Sequence, residues 1–130
     1  MKISQEAVTD AYVIKSYGDG FLLIQSSNHS PQKITQNCII TPDGVSEIPE
    51  PKEWFDSISE SHLTYLQSFQ ADVIIFVHED GLSPSLVKMT HKLAQYNMAL
   101  EIMSLGAACR TYNLLLNEGR RPIVLISFSN

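Results

Sequence analysis

The first 48 residues carry short runs of β-branched and aromatic residues, and turn residues interrupt them. Residues 12–17 and 21–24 flank Gly18-Asp19-Gly20, whose glycines can take positive φ, so this pattern predicts a β-hairpin. A third apolar run at residues 38–40 ends near Pro42, and a turn at Asp43-Gly44 leads to a fourth at residues 45–48. We therefore predict an antiparallel β-meander of three or four strands over residues 1–48.

A connector rich in Pro and Glu spans residues 49–56, and the rest of the chain alternates helix and strand. Capping serines and helical spacing of apolar residues predict helices at residues 57–70, 83–95 and 104–118. Apolar runs at residues 73–77, 98–103 and 123–128 predict strands, and short connections between them favour a mostly parallel sheet. The predicted fold is one three-layer α/β domain over residues 1–130, in which the helix and βαβαβ unit occupy residues 57–130.

The formal net charge of −5 is unevenly divided along the chain. Residues 1–40 sum to 0, residues 41–80 to −8 and residues 81–130 to +3. This balance argues against nucleic acid as a partner, because binding the phosphate backbone requires clustered Lys and Arg. A solvated acidic surface explains the division without any ligand. The other interpretation is a mildly basic C-terminal third that meets an anionic ligand or an acidic partner.

Cysteine usage and hydropathy predict the compartment. The two cysteines, Cys38 and Cys109, are far apart in the chain, and no apolar signal segment opens the sequence. No apolar run approaches the roughly 20 residues that a membrane-spanning helix needs. We therefore expect free thiols, no membrane insertion and a soluble cytoplasmic protein.

The predicted helix at residues 104–118 has two distinct faces. Its apolar stripe, typical of a face turned to the core, consists of Leu105, Ala108, Cys109, Tyr112, Leu115 and Leu116. A second stripe consists of Gly106, Arg110, Asn113 and Asn117. Small residues at its start allow another backbone or a ligand to approach closely, and a helix N-terminus attracts anions. Capping by Ser104 is the alternative that requires no ligand.

Two further groups could carry chemistry. Glu101 interrupts an apolar strand, so we expect it either exposed at a sheet edge or buried beside Arg110, Arg120 or Arg121. The run His78-Glu79-Asp80 lacks a second His or a Cys pair at ligand spacing, so a solvated acidic loop is favoured over a metal site. No phosphate loop, dinucleotide fingerprint or nucleophile elbow is present. We expect no metal, no cofactor and no assigned catalytic residue, and we lean against an enzyme.

A resemblance to a known family rests on residues 101–121. The residues that carry it are Glu101, Met103, Ala107-Ala108, Arg110-Thr111-Tyr112-Asn113 and Glu118-Gly119-Arg120. This run resembles a widespread family of small proteins of unknown function, domain of unknown function 498/598, which includes human mitochondrial respiratory complex I assembly factor 3. The chain departs from the family pattern at His78-Glu79-Asp80 and at Ser104-Leu105. The resemblance implies a three-layer α/β domain, no established enzymatic activity and a partner-binding role for the human relative.

Two hypotheses for function follow. The first is a small protein-interaction or assembly-type factor that binds a protein partner through the face of Arg110, Asn113 and Asn117, with homo-oligomer formation left open. The alternative is a small anionic-ligand binder or enzyme with a pocket at the N-terminus of helix 104–118. The candidate binding residues are Glu101, Ser104, Gly106, Arg110, Tyr112, Asn113 and Arg120. A pocket requires Arg110 to be partly buried near Glu101 or Ser104, whereas an interface requires it on an open face.

Overall fold

A computed structural model describes residues 11–48, 59–77 and 84–128. The helices in these residues are α1 (Glu60–Gln67), α2 (Pro84–Gln95) and α3 (Leu105–Asn117). The strands are β1 (Val13–Gly18), β2 (Phe21–Gln25), β3 (Gln32–Ile34), β4 (Cys38–Thr41), β5 (Gly44–Glu47), β6 (Val73–Val77), β7 (Ala99–Met103) and β8 (Pro122–Ile126). The predicted connector at 49–56 and the run His78-Glu79-Asp80 lie outside the described residues.

Strands β1, β2 and β3 form an antiparallel sheet of their own, in that order. Gly18 pairs with Phe21 across the first turn, and Gly20 takes a φ of +77°, so the predicted hairpin and its glycine turn are confirmed. The hydrophobic pattern does not reveal β3, because Ile34 is the one apolar residue among its three.

A second sheet has five strands in the order β5-β4-β8-β6-β7. The predicted parallel core is confirmed, since β6 pairs in parallel with both β7 and β8. The meander predicted over residues 1–48 stops at β3, however, because β4 pairs with β5 and β8 in the second sheet. All four residues of β4 are buried. An inner strand of a sheet that is covered on both faces has its side chains buried on both faces. Burial of its apolar residues therefore explains why β4 belongs to the second sheet and not to the meander.

The two crossover helices lie on opposite faces of the five-stranded sheet. The chain runs from β6 outward to β7 and then returns past β6 to β8, and right-handed connections in opposite directions place α2 and α3 on different sides. One face packs against α1 and α2 through residues such as Leu63 and Leu86. The other packs against α3 and the small sheet through Tyr112 and Ile24. The result is the predicted three-layer α/β domain, with the small sheet beside α3.

The end of α3 is fixed by backbone geometry. Gly119 has a φ of +78°, which favours glycine. The N–H groups of Gly119 and Arg120 donate to the carbonyls of Leu116 and Leu115, each at 3.0 Å. This reversed pair of hydrogen bonds satisfies the last helical carbonyls. The helix stop predicted at Gly119 is therefore confirmed. From Arg120 the chain continues into β8.

Candidate functional site

Ser104 is the N-cap residue of α3, but its side chain does not cap the helix. Ser104 has the extended backbone of an N-cap residue, with φ −69° and ψ 166°, and its carbonyl accepts the N–H of Ala108 at 2.8 Å. Its side chain makes no capping hydrogen bond and is exposed. The expectation that the Ser104 hydroxyl alone satisfies the helix start is therefore wrong.

The close approach predicted at Gly106 is real, and a side chain makes it. A Cβ atom at Gly106 would lie 2.7 Å from the Oη of Tyr17, which is closer than such atoms approach. Arg110 also contacts this tyrosine, because its Nη1 donates to Tyr17 Oη at 3.4 Å. Strand β1 thus places an aromatic ring where the sequence suggested a ligand or another backbone. Tyr17 was not among the predicted site residues.

Asn113 holds strand β1 against α3. Its Nδ2 donates to the carbonyl of Ile14 at 2.8 Å, and its Oδ1 accepts the N–H of Ile14 at 3.0 Å. The side-chain amide therefore pairs with one backbone residue as a neighbouring strand would. The pairing of β1 with β2 shifts register between Ile14 and Ser16. Asn113, predicted as a binding residue, is half-buried, and both of its polar atoms are bonded to Ile14, which gives it a structural role.

Tyr112 belongs to the core. Its side chain has 0% exposure, and its hydroxyl donates to the backbone carbonyl of Tyr12 at 2.8 Å. Burial raises the pKa of Tyr112 well above its usual value, and the nearby Arg121 guanidinium offsets this only in part. The prediction that Tyr112 lies on the apolar stripe is confirmed. As a candidate binding residue it has no part of its side chain exposed to solvent, and its hydroxyl is already bonded to the backbone.

The predicted acid and the terminal arginine do not join this group. Glu101 is exposed on β7, at the edge of the five-stranded sheet. Within the described parts of the chain, no cation lies within ion-pair distance of it, so the edge-exposed alternative holds and the buried ion pair is wrong. Arg120 is exposed at the far end of α3, about 20 Å from Gly106 by helical rise. Arg121 instead pairs with Asp43, at 2.7 Å between Nη2 and Oδ2.

The outer face of α3 remains open to solvent. We define this outer face by four exposed residues, Arg110, Leu114, Asn117 and Glu118. Leu114 is 58% exposed, the highest fraction among the large hydrophobic residues described. Tyr17, which is 43% exposed, stands beside Arg110. The sequence signal for Leu114 was present, because a leucine between the polar positions 113 and 117 falls outside the apolar stripe.

Two cavities lie elsewhere in the described residues, both beside the connection from β3 to β4 and the end of β5. One has a volume of about 380 Å³ and is lined by Thr35, Gln36, Asn37, Glu47, Ile48 and Phe128. The other, of about 270 Å³, shares four of these residues. Neither is lined by a residue of the predicted site, and the hydrophobic pattern gave no signal for them.

The cysteines lie close to the core rather than at a reactive surface. Cys38 and Cys109 are both free and buried. Burial raises the pKa of Cys38 to about 12 and that of Cys109 to about 11, although Arg110 lowers the latter slightly. A thiol that stays protonated at neutral pH is a poor nucleophile. Among the residues described, no group of three His, Cys, Asp or Glu side chains is arranged to hold a metal ion.

These features define the class of fold to which the protein belongs. It is an α/β domain in which one helix and a small antiparallel sheet cover one face of a mixed five-stranded sheet, and an aromatic residue of β1 lies across the helix start. None of the described helices is long and apolar enough to cross a membrane. The chain belongs to the DUF498 family, protein of unknown function (DUF498/DUF598), whose model matches residues 14–126.

The chain is also similar to individual proteins and solved structures. A protein of Francisella tularensis subsp. holarctica named 13 kDa major membrane protein is 24% identical over 127 residues, which are 97% of this chain and 98% of the relative. An NMR structure from Xanthomonas campestris has a TM-score of 0.70 at 22% identity and covers 98% of this chain and 92% of its own. The solution structure of a Mth938-like domain from Bordetella pertussis has a TM-score of 0.58 at 22% identity, covering 89% and 85%. At these identities the structural likeness shows the fold.

Proposed function

We propose that the protein works by binding another protein through the outer face of α3, as an interaction or assembly-type factor. The observation that carries this proposal is Leu114, a leucine 58% exposed on a helix whose other leucines are buried or half-buried. Arg110 precedes it by one helical turn and contacts Tyr17. Tyrosine and arginine are enriched among the residues that dominate binding energy at protein interfaces, and such residues cluster near the centre of the interface.

The same contacts weigh against the small-ligand alternative. A pocket at the start of α3 would need free polar groups converging on a concave space. Instead the Tyr17 side chain occupies the space beside Gly106, and both polar side-chain atoms of Asn113 are hydrogen-bonded to the backbone of Ile14. Arg110 is exposed, and the residue it contacts is Tyr17 rather than Ser104 or Glu101. These are the properties expected of an interface arginine on an open face.

Site-specific photo-crosslinking in living cells tests the proposal. A photoreactive phenylalanine analogue at position 114 should form a discrete covalent adduct with the partner. Val87 provides the matched control, because it is an aliphatic residue 42% exposed on α2, on the opposite side of the sheet. The adduct at position 114 should weaken when Arg110→Ala is added, and position 87 should give no such band. Equal adducts at both positions, or none at position 114, would sink the proposal.

A second experiment addresses the ligand alternative directly. Thermal melting of the wild type and of Arg110→Ala is compared in the presence of carboxylate and phosphate-ester metabolites. We expect neither protein to shift, because the start of α3 is occupied by Tyr17. A rise in the wild-type melting temperature that Arg110→Ala abolishes would favour the ligand alternative, since a ligand stabilises the folded state that binds it.

A cytoplasmic location is part of the same proposal. What supports it is the pair of free cysteines, which suits a reducing compartment. The relative from Francisella tularensis carries the name of a membrane protein, so fractionation is the test. Recovery of the tagged chain in the soluble fraction is expected. Recovery with membranes after a salt wash would contradict the location and would place the partner at a membrane.

A further inference from the structure

The outer face of α3 has a charge pattern that is complementary to itself. Arg110, Leu114 and Glu118 follow one another at intervals of four residues, and Glu118 is the C-cap of α3, where its N–H still donates to the carbonyl of Leu114 at 3.1 Å. The three residues therefore lie along one ridge of the helix. All three side chains are exposed. The ridge thus reads positive, apolar and negative from its N-terminal to its C-terminal end.

The two charges do not neutralise each other within one chain. Eight residues of helix separate Arg110 from Glu118 by about 12 Å, which is too far for an ion pair. Neither residue forms an ion pair within the parts of the chain that the structure describes. Both charges are therefore available to a partner.

We infer that the partner on the outer face of α3 is a second copy of this chain, paired through a two-fold axis that passes beside Leu114. A two-fold axis across the helix places the two α3 helices antiparallel, so that a residue k positions before Leu114 faces the residue k positions after it in the other copy. Arg110 then faces Glu118 of the second copy, and the same pair forms again on the other side. Closed dimers of this kind require a surface that is complementary to itself.

The surroundings of the ridge fit this arrangement. Leu114 of each copy would lie at the axis and bury its exposed side chain against its counterpart. Open space surrounds the far end, since a Cβ atom at Gly119 would meet nothing within 4 Å. At the near end Tyr17 holds Arg110 by its hydroxyl and adds an exposed ring to the contact. The face consists of four residues of α3 with Tyr17 beside them, fewer than the roughly 20–30 residues on each side of a stable complex, so we expect a weak dimer that forms at micromolar or higher concentrations.

This inference rests on the proposed function, because it names the occupant of the same face. Sedimentation velocity of the full chain, over concentrations from about 5 to about 500 µM, measures it. The wild type should pass from monomer to dimer. Arg110→Glu and Glu118→Arg should each raise the dissociation constant by at least about tenfold, because each creates two like-charge contacts across the axis. Circular dichroism checks that both variants are folded.

Mixing the two variants gives the decisive result. In a mixed dimer, the glutamate introduced at position 110 of one copy faces the arginine introduced at position 118 of the other. On the other side of the axis the native Glu118 faces the native Arg110, so both contacts are attractive again. An equal mixture of Arg110→Glu and Glu118→Arg should therefore dimerise about as tightly as the wild type, which misfolded chains could not do. A wild type that stays monomeric throughout, or a mixture that does not recover, would overturn the inference.

The crosslink at position 114 separates this inference from the proposed function. An adduct of twice the mass of the chain supports both. An adduct of any other mass overturns the second copy as the partner and leaves the interaction function standing. Absence of an adduct at position 114 removes the proposed function itself.

Discussion

The tie between α3 and β1 yields a prediction whose magnitude follows from the contacts. Asn113→Ala removes both hydrogen bonds to the backbone of Ile14, at 2.8 and 3.0 Å. Ile14 is only 5% exposed, so water replaces little of what is lost. A buried backbone group left without a partner costs about 1–3 kcal/mol. Because Asn113 is only half-buried, water can reach the backbone N–H and carbonyl of Ile14 in part after the substitution. We therefore take the lower end of this range, about 1 kcal/mol, for each of these two backbone groups. The expected loss is about 2 kcal/mol in the free energy of unfolding.

Denaturant unfolding followed by circular dichroism measures this loss, and thermal melting should show a midpoint lower by about 6 °C. Asn117→Ala is the matched control, because Asn117 is the same residue type one turn further along α3 and is exposed. It should cost less than about 0.5 kcal/mol. Two variants that differ by less than that amount would refute the reasoning, since β1 would then be held to α3 by apolar packing alone.

Four further predictions concern the core and the start of α3. Tyr112→Phe should lower the free energy of unfolding by about 1 kcal/mol, because the carbonyl of Tyr12 loses its donor in the core; an unchanged value would show that water replaces the hydroxyl. Cys38 and Cys109 should resist a thiol reagent at pH 8 until denaturant is added. Their raised pKa values also predict that the free energy of unfolding does not change with thiol ionisation below about pH 9 and falls above that pH. The reason is that the thiols of the unfolded chain lose their protons at lower pH than the buried thiols do. Gly106→Ala should change stability by less than about 1 kcal/mol, because the better helix propensity of alanine offsets displacement of a flexible aromatic side chain.

Local features of the sequence predicted the elements well where one residue pattern dominates. The continuous apolar run of β6 predicted a strand buried on both faces, and all five of its residues are buried. The run Cys38-Ile39-Ile40 carries the same signal, yet its proximity to β2 in the chain favours the N-terminal meander. Burial of β4 on both faces outweighs that proximity in the folded chain.

The candidate site was harder to predict because its contacts are distant in sequence. Small residues at the start of α3 correctly indicated a close approach at Gly106, but the side chain that approaches is Tyr17, and its contact with Arg110 spans 93 positions. The bonds of Asn113 span 99 positions. Periodicity shows that a helix has a second polar stripe. It does not show which strand covers that stripe.

Neighbouring positions in the chain also proved a poor guide to a shared site. Residues 101–121 carry the family resemblance as one continuous run, and they divide among an edge strand, a helix core and a helix end in space. Glu101 is exposed on β7, Tyr112 is inside, and Arg120 is about 20 Å from the helix start. A motif shared by a family is therefore compatible with structural roles at most of its positions, which is what burial and hydrogen bonding assign to Tyr112 and Asn113.

The contacts of β1 with α3 determine which part of the helix stays exposed to solvent. Gly106 and Asn113 face β1, where the Tyr17 side chain lies against Gly106 and the Ile14 backbone is hydrogen-bonded to Asn113. The exposed face is therefore rotated from the stripe of Gly106, Arg110, Asn113 and Asn117 toward Leu114, and this is the face that we propose for a partner. Because Asn113 anchors the strand that carries Tyr17, and Tyr17 in turn contacts Arg110, the internal tie and the outer face of α3 are physically connected. Loosening the tie should disorder the arginine before it unfolds the domain, so a weakened Asn113 would reduce binding at protein concentrations where the fold is still intact.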